Sequence, residues 1–225
     1  MGCILKGGGG LYPRMRIGAV LLAAGEGARL GGVVKPAIAI QGVPLVSRAL
    51  IALSGAGVDE VVVVTGHGAE RVAPLVEAFP VTVVHNADYR AGQMGSVHAG
   101  LAALRGPFDA VLICLADMPL VNAQDLTALI GAFKKRSGGS VVVPYFQERR
   151  GNPVIFDGQA MEAILAAGAN FGCRRWIDSH PELVVRFAAP NDHYTTDLDT
   201  AEDLAALERR LGLKLALPTP VAEPA

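Results

Sequence analysis

Short runs of apolar residues recur along the chain and alternate with longer stretches in which apolar positions follow helical spacing. Four runs, at residues 17–24, 61–64, 81–84 and 110–115, are too short to span a membrane and suit strands that are buried on both faces. The stretches between them would form helices of about ten to fifteen residues, an alternation typical of parallel strands with crossover connections. The pattern therefore predicts an α/β fold, a Rossmann-like three-layer arrangement with a mostly parallel mixed sheet.

Proline, glycine and capping residues set the predicted element bounds. Pro44 suits the first turn of a helix that runs to about Gly55, and Pro74 would shorten or kink the helix that contains it. Thr200 with Asp203 forms a capping pair for the last helix. The further predicted helices are 69–78, 97–104, 122–133, 157–167, 170–179 and 200–211. Later strands at 140–143 and 153–156 are expected to form a small antiparallel addition, and 184–187 a further strand.

Composition narrows the class of protein. With 225 residues and 51% hydrophobic content the chain can bury one core, expected to span residues 15–212 between a disordered leader (1–14) and tail (213–225). A formal charge of −1 gives no basic field for nucleic acid. Three scattered cysteines without Cys-x-x-Cys spacing, and the lack of an apolar leader segment, favour a cytoplasmic protein without a membrane span.

The first apolar run ends in a loop suited to a polyphosphate. Gly25 and Gly27 let the backbone bend and approach a ligand, and Arg29 and Lys35 follow them. Backbone N–H groups and two cations at one rim can surround and neutralise phosphate oxygens. A dinucleotide fingerprint is a weak match because Leu30 stands at the position of its third glycine. A Walker loop fails because Val34 precedes Lys35 and Pro36 follows it.

Carboxylates follow two later segments. Asp117 lies two residues after the run 110–115 and is the first candidate ligand for Mg²⁺, which prefers one or two carboxylates together with phosphate oxygens. Asn122 can cap the next helix, so Asp117 is not needed for that purpose. We expect Asp197 to share the metal, whereas Asp199 is interpreted as a residue of the turn.

Two polar loops offer further contacts. The loop 85–96 would lie on the same rim as Gly25, and Ser96 is equally compatible with an N-cap and with a base or ribose contact. The loop 147–152 carries Arg149, Arg150 and Asn152, which could donate to an anionic second substrate or form an ordinary solvated loop.

The ordered motifs resemble the MobA-like nucleotidyltransferases, and within them the molybdenum cofactor cytidylyltransferases. The motifs are Leu22-x-x-Gly25-x-Gly27-x-Arg29-x-Gly31, Lys35-Pro36, the loop 86–96, Leu115-Ala-Asp-Met-Pro119, Arg150-Gly-Asn-Pro-Val154 and Thr196-Asp-Leu-Asp-Thr200. The likeness covers residues 15–211. It implies a nucleotide-diphospho-sugar transferase-like fold, an NTP, Mg²⁺, and transfer of a nucleoside monophosphate to a phosphorylated acceptor with release of pyrophosphate.

The resemblance also implies roles for individual residues. Lys35 and Arg29 would be catalytic, Asp117 and Asp197 would bind the metal, and Arg150 and Asn152 would bind the acceptor. The nucleotide would contact Leu22, Ala23, Ala24, Gly25, Gly27, Arg29, Lys35, Asn86, Gly95 and Ser96.

The same comparison of motifs favours particular substrates. Ala24, where the guanylyl branch tends to carry glycine, favours CTP, and molybdopterin is the preferred acceptor. Fewer serines in Gln93-Met-Gly-Ser-Val97, and Asn152 where histidine is common, leave another phosphorylated metabolite as a rival acceptor. The alternative functions are a guanylyl or sugar-phosphate transferase on the same scaffold, and a non-catalytic nucleotide-binding or chaperone-like module that delivers a cofactor to an apo-enzyme. A molybdoenzyme or chaperone is the candidate protein partner.

Overall fold

A computed structural model describes residues 14–169 and 171–218 of the chain, which form ten strands and seven α-helices. The strands are β1 (Ile17–Ala23), β2 (Ala39–Ile40), β3 (Val43–Pro44), β4 (Glu60–Thr65), β5 (Thr82–His85), β6 (Ala110–Leu115), β7 (Val141–Phe146), β8 (Arg149–Arg150), β9 (Val154–Asp157) and β10 (Val184–Ala188). The helices are α1 (Leu45–Gly55), α2 (Ala69–Val76), α3 (Gln93–Ala103), α4 (Ala123–Lys135), α5 (Gly158–Ala166), α6 (Cys173–Ser179) and α7 (Ala201–Leu211).

The main sheet is mixed and mostly parallel. Its order is β10-β7-β9-β6-β1-β4-β5, with β8 paired to β7. β1 pairs in parallel with both β4 and β6, whereas β9 runs antiparallel to β6 and β7. The predicted fold class and the antiparallel addition are thereby confirmed.

Both faces of the sheet are covered, as continuous apolar strands require. On β1, Ala19 and Leu21 pack in a cluster with residues of α1, α2 and α4, whereas Val20 and Leu22 pack with residues of α3, α5 and α6. All seven residues of β1 are buried. The central strand therefore anchors a three-layer core and fixes the position of the loop that follows it.

The carboxyl ends of the parallel strands bring distant loops to one edge. Ala116 N donates to Leu22 O at 3.0 Å, which joins the segment after β6 to the end of β1. His67 N donates to Ala24 O, so the segment after β4 lies at the same edge. Ligands of open α/β sheets bind at such an edge.

Several predicted bounds are wrong in detail. The helix expected at 97–104 begins at Gln93, and Gly92, not Ser96, precedes it as the N-cap. The helix expected at 170–179 begins at Cys173, and Asn170 lies outside the described residues. Pro74 lies inside α2 without ending it.

The predicted chain ends also differ. Leu215 is buried and Ala216 pairs with Ala39, so the folded unit extends beyond the expected boundary at 212. Arg14, assigned to the leader, forms an ion pair with Asp59 at 2.9 Å. The rest of the predicted leader and tail, 1–13 and 219–225, lies outside the described residues. None of the helices in the described ranges combines the length and apolar character that crossing a bilayer needs.

Candidate active site

The two glycines of the first loop have different reasons to be glycine. Gly27 has φ 61°, and a Cβ there would lie 2.2 Å from the carbonyl oxygen of Val33, so the folded loop itself requires glycine. A Cβ on Gly25 would meet nothing within 4 Å, and its φ is outside the left-handed region. The protein therefore leaves open space at Gly25, where a ligand can approach the backbone.

Lys35 lies between two carboxylates from distant parts of the chain. Its Nζ is 2.5 Å from Asp117 Oδ2 and 2.8 Å from Asp199 Oδ1, and its side chain is only 11% exposed. Arg29 Nη2 donates to the other oxygen of Asp199 at 2.6 Å. The glycine loop, the end of β6 and the segment before α7 thus meet in one charged cluster.

The acidic segment before α7 is held in place through Leu198. This side chain is fully buried, and Leu198 N donates to Asp117 O at 3.1 Å. Thr200 and Asp203 form the predicted capping box of α7, which ends the segment at a defined point. Asp197 and Asp199, on either side of the anchored leucine, are therefore kept near Asp117.

A buried network supports the same segment from α4. Tyr194 O–H donates to the carbonyl oxygen of Asp125 at 2.6 Å, and the His193 imidazole lies 2.9 Å from the Asp125 carboxylate. Asp125 is 5% exposed and also completes the capping box of α4 with Asn122. Asn122 does cap this helix, as predicted, so Asp117 remains free for other contacts.

The charges shift one another's pKa values. Burial would lower the pKa of Lys35, but its pairing with Asp117 and Asp199 outweighs burial and raises that pKa. Desolvation would raise the pKa of Asp199, yet the contacts with Lys35 and Arg29 hold it below its ordinary value. Partial desolvation, followed by the charges of Asp199 and Asp117, raises the pKa of Asp197. Asp197 thus lies in a locally negative environment.

The carboxylates of Asp117 and Asp197 offer the oxygen donors that a divalent ion prefers. Asp117 Oδ1 is buried and has no hydrogen-bond partner among the described residues. Asp197 is exposed, and its carboxylate accepts a hydrogen bond from its own backbone N–H. The described ranges hold no cluster of three or more potential metal-ligating side chains. Two carboxylates fit Mg²⁺, because phosphate oxygens and water complete its coordination.

Two adjoining cavities lie over this cluster. One, of about 240 Å³, is lined by the glycine loop together with Arg29, Lys35 and Asp199. The other, of about 140 Å³, is lined by Leu22, Ala24, Gly25, Tyr89, Gln93, Ser96, Leu115 and Asp117. Gly25 belongs to both, so the cavities together form one nucleotide-sized cleft.

The loop after β5 closes one side of the cleft. Asn86 Nδ2 donates to Ser96 Oγ at 2.9 Å. These two residues, both predicted to contact the nucleotide, are therefore hydrogen-bonded to each other. Arg90 Nε donates to Glu26 Oε1 at 3.0 Å, which ties this loop to the glycine loop. Neither Asn86 nor Gly95 lines the two cavities, and Ala23 is buried inside β1.

A larger cavity, of about 650 Å³, adjoins the cleft and shares Gln93 and Leu115 with it. Arg150 and Asn152, the predicted acceptor residues, both line it. Its opposite wall comes from α6, a helix to which the sequence analysis gave no role. The adjacent pair Arg174 and Arg175 at the start of that helix was the available signal.

One sequence interpretation needs correction. Asp199 does not serve only the turn, because its two oxygens accept hydrogen bonds from Arg29 and Lys35. The turn is instead held by Asp203, which accepts from the backbone N–H of Asp199 and of Thr200. Sequence spacing alone could not distinguish Asp197 from Asp199, since both flank the same buried leucine.

Comparison with known proteins identifies the family. Residues 19–184 match the MobA-like NTP transferase domain, so the chain belongs to that family and is a nucleotidyltransferase. Among curated relatives it is 29% identical to the nicotine blue oxidoreductase of Paenarthrobacter nicotinovorans, over 84% of this chain and 94% of that protein. It is 30% identical to the bifunctional protein GlmU of Syntrophomonas wolfei over 57% of this chain, but covers only 28% of GlmU.

Solved structures share the fold. The nucleotidyl transferase Mth528 of Methanothermobacter superposes with a TM-score of 0.72 at 24% identity, covering 87% of this chain and 97% of that one. The CTP:phosphocholine cytidylyltransferase LicC of Streptococcus pneumoniae superposes with a TM-score of 0.63 at 18% identity, covering 88% of this chain and all of that one.

Proposed function

We propose that the protein transfers CMP from CTP to a phosphorylated acceptor, with molybdopterin preferred, and releases pyrophosphate in a Mg²⁺-dependent reaction. The supporting observation is the pairing of Lys35 with both Asp117 and Asp199 beside an open cleft. Cations and carboxylates from three distant segments meet there, next to a second cavity large enough for an acceptor. Such an arrangement suits a triphosphate bound next to a nucleophilic phosphate.

The reaction needs no protein nucleophile. An oxygen of the acceptor phosphate attacks the α-phosphorus of CTP in line. The bond from that phosphorus to the bridging oxygen breaks, and pyrophosphate leaves with the electron pair. Because the attacking phosphate is already ionised, no general base is required. Catalysis then consists of positioning and charge stabilisation.

Each cation has a distinct part in this scheme. The backbone around Gly25 and the exposed Arg29 bind the β- and γ-phosphates, whereas the buried Lys35 stabilises charge that develops on the α-phosphate. Asp199 holds Arg29 and Lys35 toward the cleft through its two oxygens. Asp117 and Asp197 would hold Mg²⁺, which when bound neutralises phosphate charge and orients the reacting oxygens.

Two observations favour CTP as the nucleotide. Ala24 lines the nucleotide cleft and presents a methyl group at the position where the guanylyl branch tends to carry glycine. LicC, a protein of similar fold, is named as a CTP-dependent cytidylyltransferase. A guanylyl or sugar-phosphate transferase would use the same phosphate contacts, so the choice of base has to be measured.

Two other outcomes need separate assays. The name of the Paenarthrobacter relative describes an oxidoreductase, and the sequence motifs are also compatible with a non-catalytic delivery module. A pyridine nucleotide oxidation assay therefore accompanies the main experiment. A non-catalytic delivery protein would bind CTP and molybdopterin without releasing pyrophosphate.

The test measures pyrophosphate release with CTP, GTP, ATP and UTP, each with and without molybdopterin, and with glucose 1-phosphate as a second acceptor. The proposal predicts release with CTP and molybdopterin together, abolished by EDTA. Release with GTP or with the sugar phosphate instead would establish one of the rival transferases. No release under any condition would contradict the proposed reaction.

A further inference from the structure

The cavity of about 650 Å³ lined by Arg150 and Asn152, here called the acceptor cavity, has a basic wall that the transfer reaction itself does not require. Arg174 and Arg175 of α6 line this cavity but not the nucleotide cleft, and both residues are exposed. The acceptor phosphate that reacts must lie near Asp117, where Gln93 and Leu115 belong to both cavities. The two arginines therefore face some other part of the acceptor.

These arginines keep their charge available. Neither forms an ion pair within the described ranges, whereas Arg150 on the same cavity donates to Asp178 at 2.7 Å. The guanidinium of Arg175 lies 5.4 Å from the ring centroid of Phe171, which favours a defined position. The charges of Arg150 and Asp178 cancel each other. The cavity therefore has a net positive charge, which Arg174 and Arg175 supply.

The floor of the cavity is apolar. Val97, Ile113, Leu115, Val154 and Ile177 line it between the nucleotide side and α6. The buried thiol of Cys173 also faces it, and burial raises the pKa of that thiol to about 12, so the thiol stays neutral. Among the described residues, no aromatic side chain lines the cavity, and the one acid that lines it, Asp178, is paired with Arg150, so a quaternary ammonium group finds no favourable partner there.

We infer that the acceptor carries a second anionic group, remote from the phosphate that reacts, and that Arg174 and Arg175 bind it. The body of the acceptor between the two anionic groups is apolar or a flat ring, in keeping with the cavity floor. This inference rests on the proposed function, because it assumes that the cavity holds the acceptor. It deepens that function by adding a distal charge to the description of the substrate class.

A matched pair of probes tests the distal charge. The ligands 4-carboxyphenyl phosphate and 4-carbamoylphenyl phosphate have the same size and phosphate, and differ in one remote negative charge. Isothermal titration calorimetry measures the affinity of each ligand for three proteins. These are the wild type, the double variant Arg174→Ala/Arg175→Ala, and the double variant Lys134→Ala/Lys135→Ala. The last variant removes two exposed charges from α4, which does not line the cavity.

We expect the carboxylate probe to bind about tenfold more tightly than the amide to the wild type, as for one added charge-assisted hydrogen bond. The preference should fall to about one in the α6 variant, and remain about tenfold in the α4 control. Equal binding of the two probes by the wild type, failure of both to bind, or an unchanged preference in the α6 variant would overturn the inference. Titration with CTP in parallel tests the proposed function separately, since CTP does not contact α6 in this account.

Discussion

The Lys35 ammonium donates to the Asp199 carboxylate at 2.8 Å, although the two residues are 164 positions apart in the chain. Asp199 also accepts from Arg29, so one carboxylate holds both cations that we assign to the triphosphate. A bound triphosphate would meet cations that are already oriented, which reduces the free energy lost on ordering them. We therefore expect the contacts of Asp199 with Lys35 and Arg29 to stabilise the fold and to preorganise both cations for the triphosphate.

Replacing Asp199 by asparagine tests its contribution to stability. Because the contacts with Lys35 and Arg29 outweigh desolvation and lower the pKa of Asp199, the carboxylate stabilises the fold fully above its ordinary pKa of 3.8. That stabilisation is lost as pH falls through the lower, folded-state value. We expect Asp199→Asn to lower the free energy of unfolding by about 1 to 2 kcal/mol at pH 7, after allowance for partial exposure.

Urea unfolding at several pH values measures this effect. The gap between wild type and Asp199→Asn should narrow as the pH falls below 3.8, the ordinary pKa of aspartate, and close once the pH is below the lower folded-state pKa. Glu162→Gln is the control, because Glu162 is exposed on α5 and forms no ion pair in the described part of the chain. A gap that stays constant with pH would show that the charge of Asp199 does not stabilise the fold.

Lys35 and Arg29 are expected to differ in their kinetic effects. Lys35→Ala should lower kcat at least about 100-fold and change the KM for CTP by less than about threefold, because its charge acts on the transition state. Arg29→Ala should mainly raise KM. Arg105→Ala, an exposed arginine away from the cleft, serves as the control. A Lys35 variant with normal kcat and a raised KM would contradict the assigned role.

The two loop glycines should separate folding from binding. Gly27→Ala forces a side chain into the left-handed region against the Val33 carbonyl, and should lower the free energy of unfolding by about 1 to 3 kcal/mol. Gly25→Ala should leave stability within about 0.5 kcal/mol but weaken CTP binding about tenfold, because a methyl group would occupy ligand space.

Thermal unfolding and CTP titration distinguish the two variants. Gly131→Ala provides the reference, since a Cβ there also meets nothing within 4 Å and the residue lies on α4. It should leave CTP affinity unchanged. Normal CTP binding by a stable Gly25→Ala protein would mean that the nucleotide does not approach this part of the loop.

The pair Glu26 and Arg90 raises a separate expectation. Glu26 places an acid in a loop assigned to a triphosphate, and Arg90, in the loop after β5, forms an ion pair with it. Arg90→Gln should weaken CTP binding about two- to fivefold at low ionic strength, and Glu26→Gln should not weaken it. The loss should shrink at about 0.5 M salt, where exposed charges are screened. If both variants lost the same CTP affinity, the ion pair between Glu26 and Arg90 would have only a structural role.

Much of the fold could be predicted because its signals are local. The uninterrupted apolar residues of β1 and β6 required burial on both faces, and glycines with Arg29 and Lys35 marked the loop at the carboxyl end of β1. The capping residues Asn122 and Thr200 could also be identified from their spacing, and both cap helices in the structure.

The rest depends on side-chain direction and on contacts between distant segments. Asp197 and Asp199 flank Leu198 symmetrically in sequence, and only the packing of that leucine decides that Asp199 meets Lys35. Serine is a common N-cap residue, but the hydroxyl group of Ser96 accepts a hydrogen bond from the side chain of Asn86 and caps no helix. The sequence shows Arg174 and Arg175 as an adjacent basic pair, but only tertiary packing places α6 on the cavity wall, so the pair could not be assigned to the cavity from the sequence.

The most direct test of the account is calorimetric titration of CTP with Mg²⁺ and after its removal by EDTA, on the wild type and on Asp117→Asn. The buried, unpartnered Oδ1 of Asp117 is the atom that we expect to bind the ion. The account predicts that Mg²⁺ strengthens CTP binding at least about tenfold in the wild type, and that Asp117→Asn abolishes this gain. Binding of CTP that is equally tight without Mg²⁺, or an undiminished gain in Asp117→Asn, would contradict it.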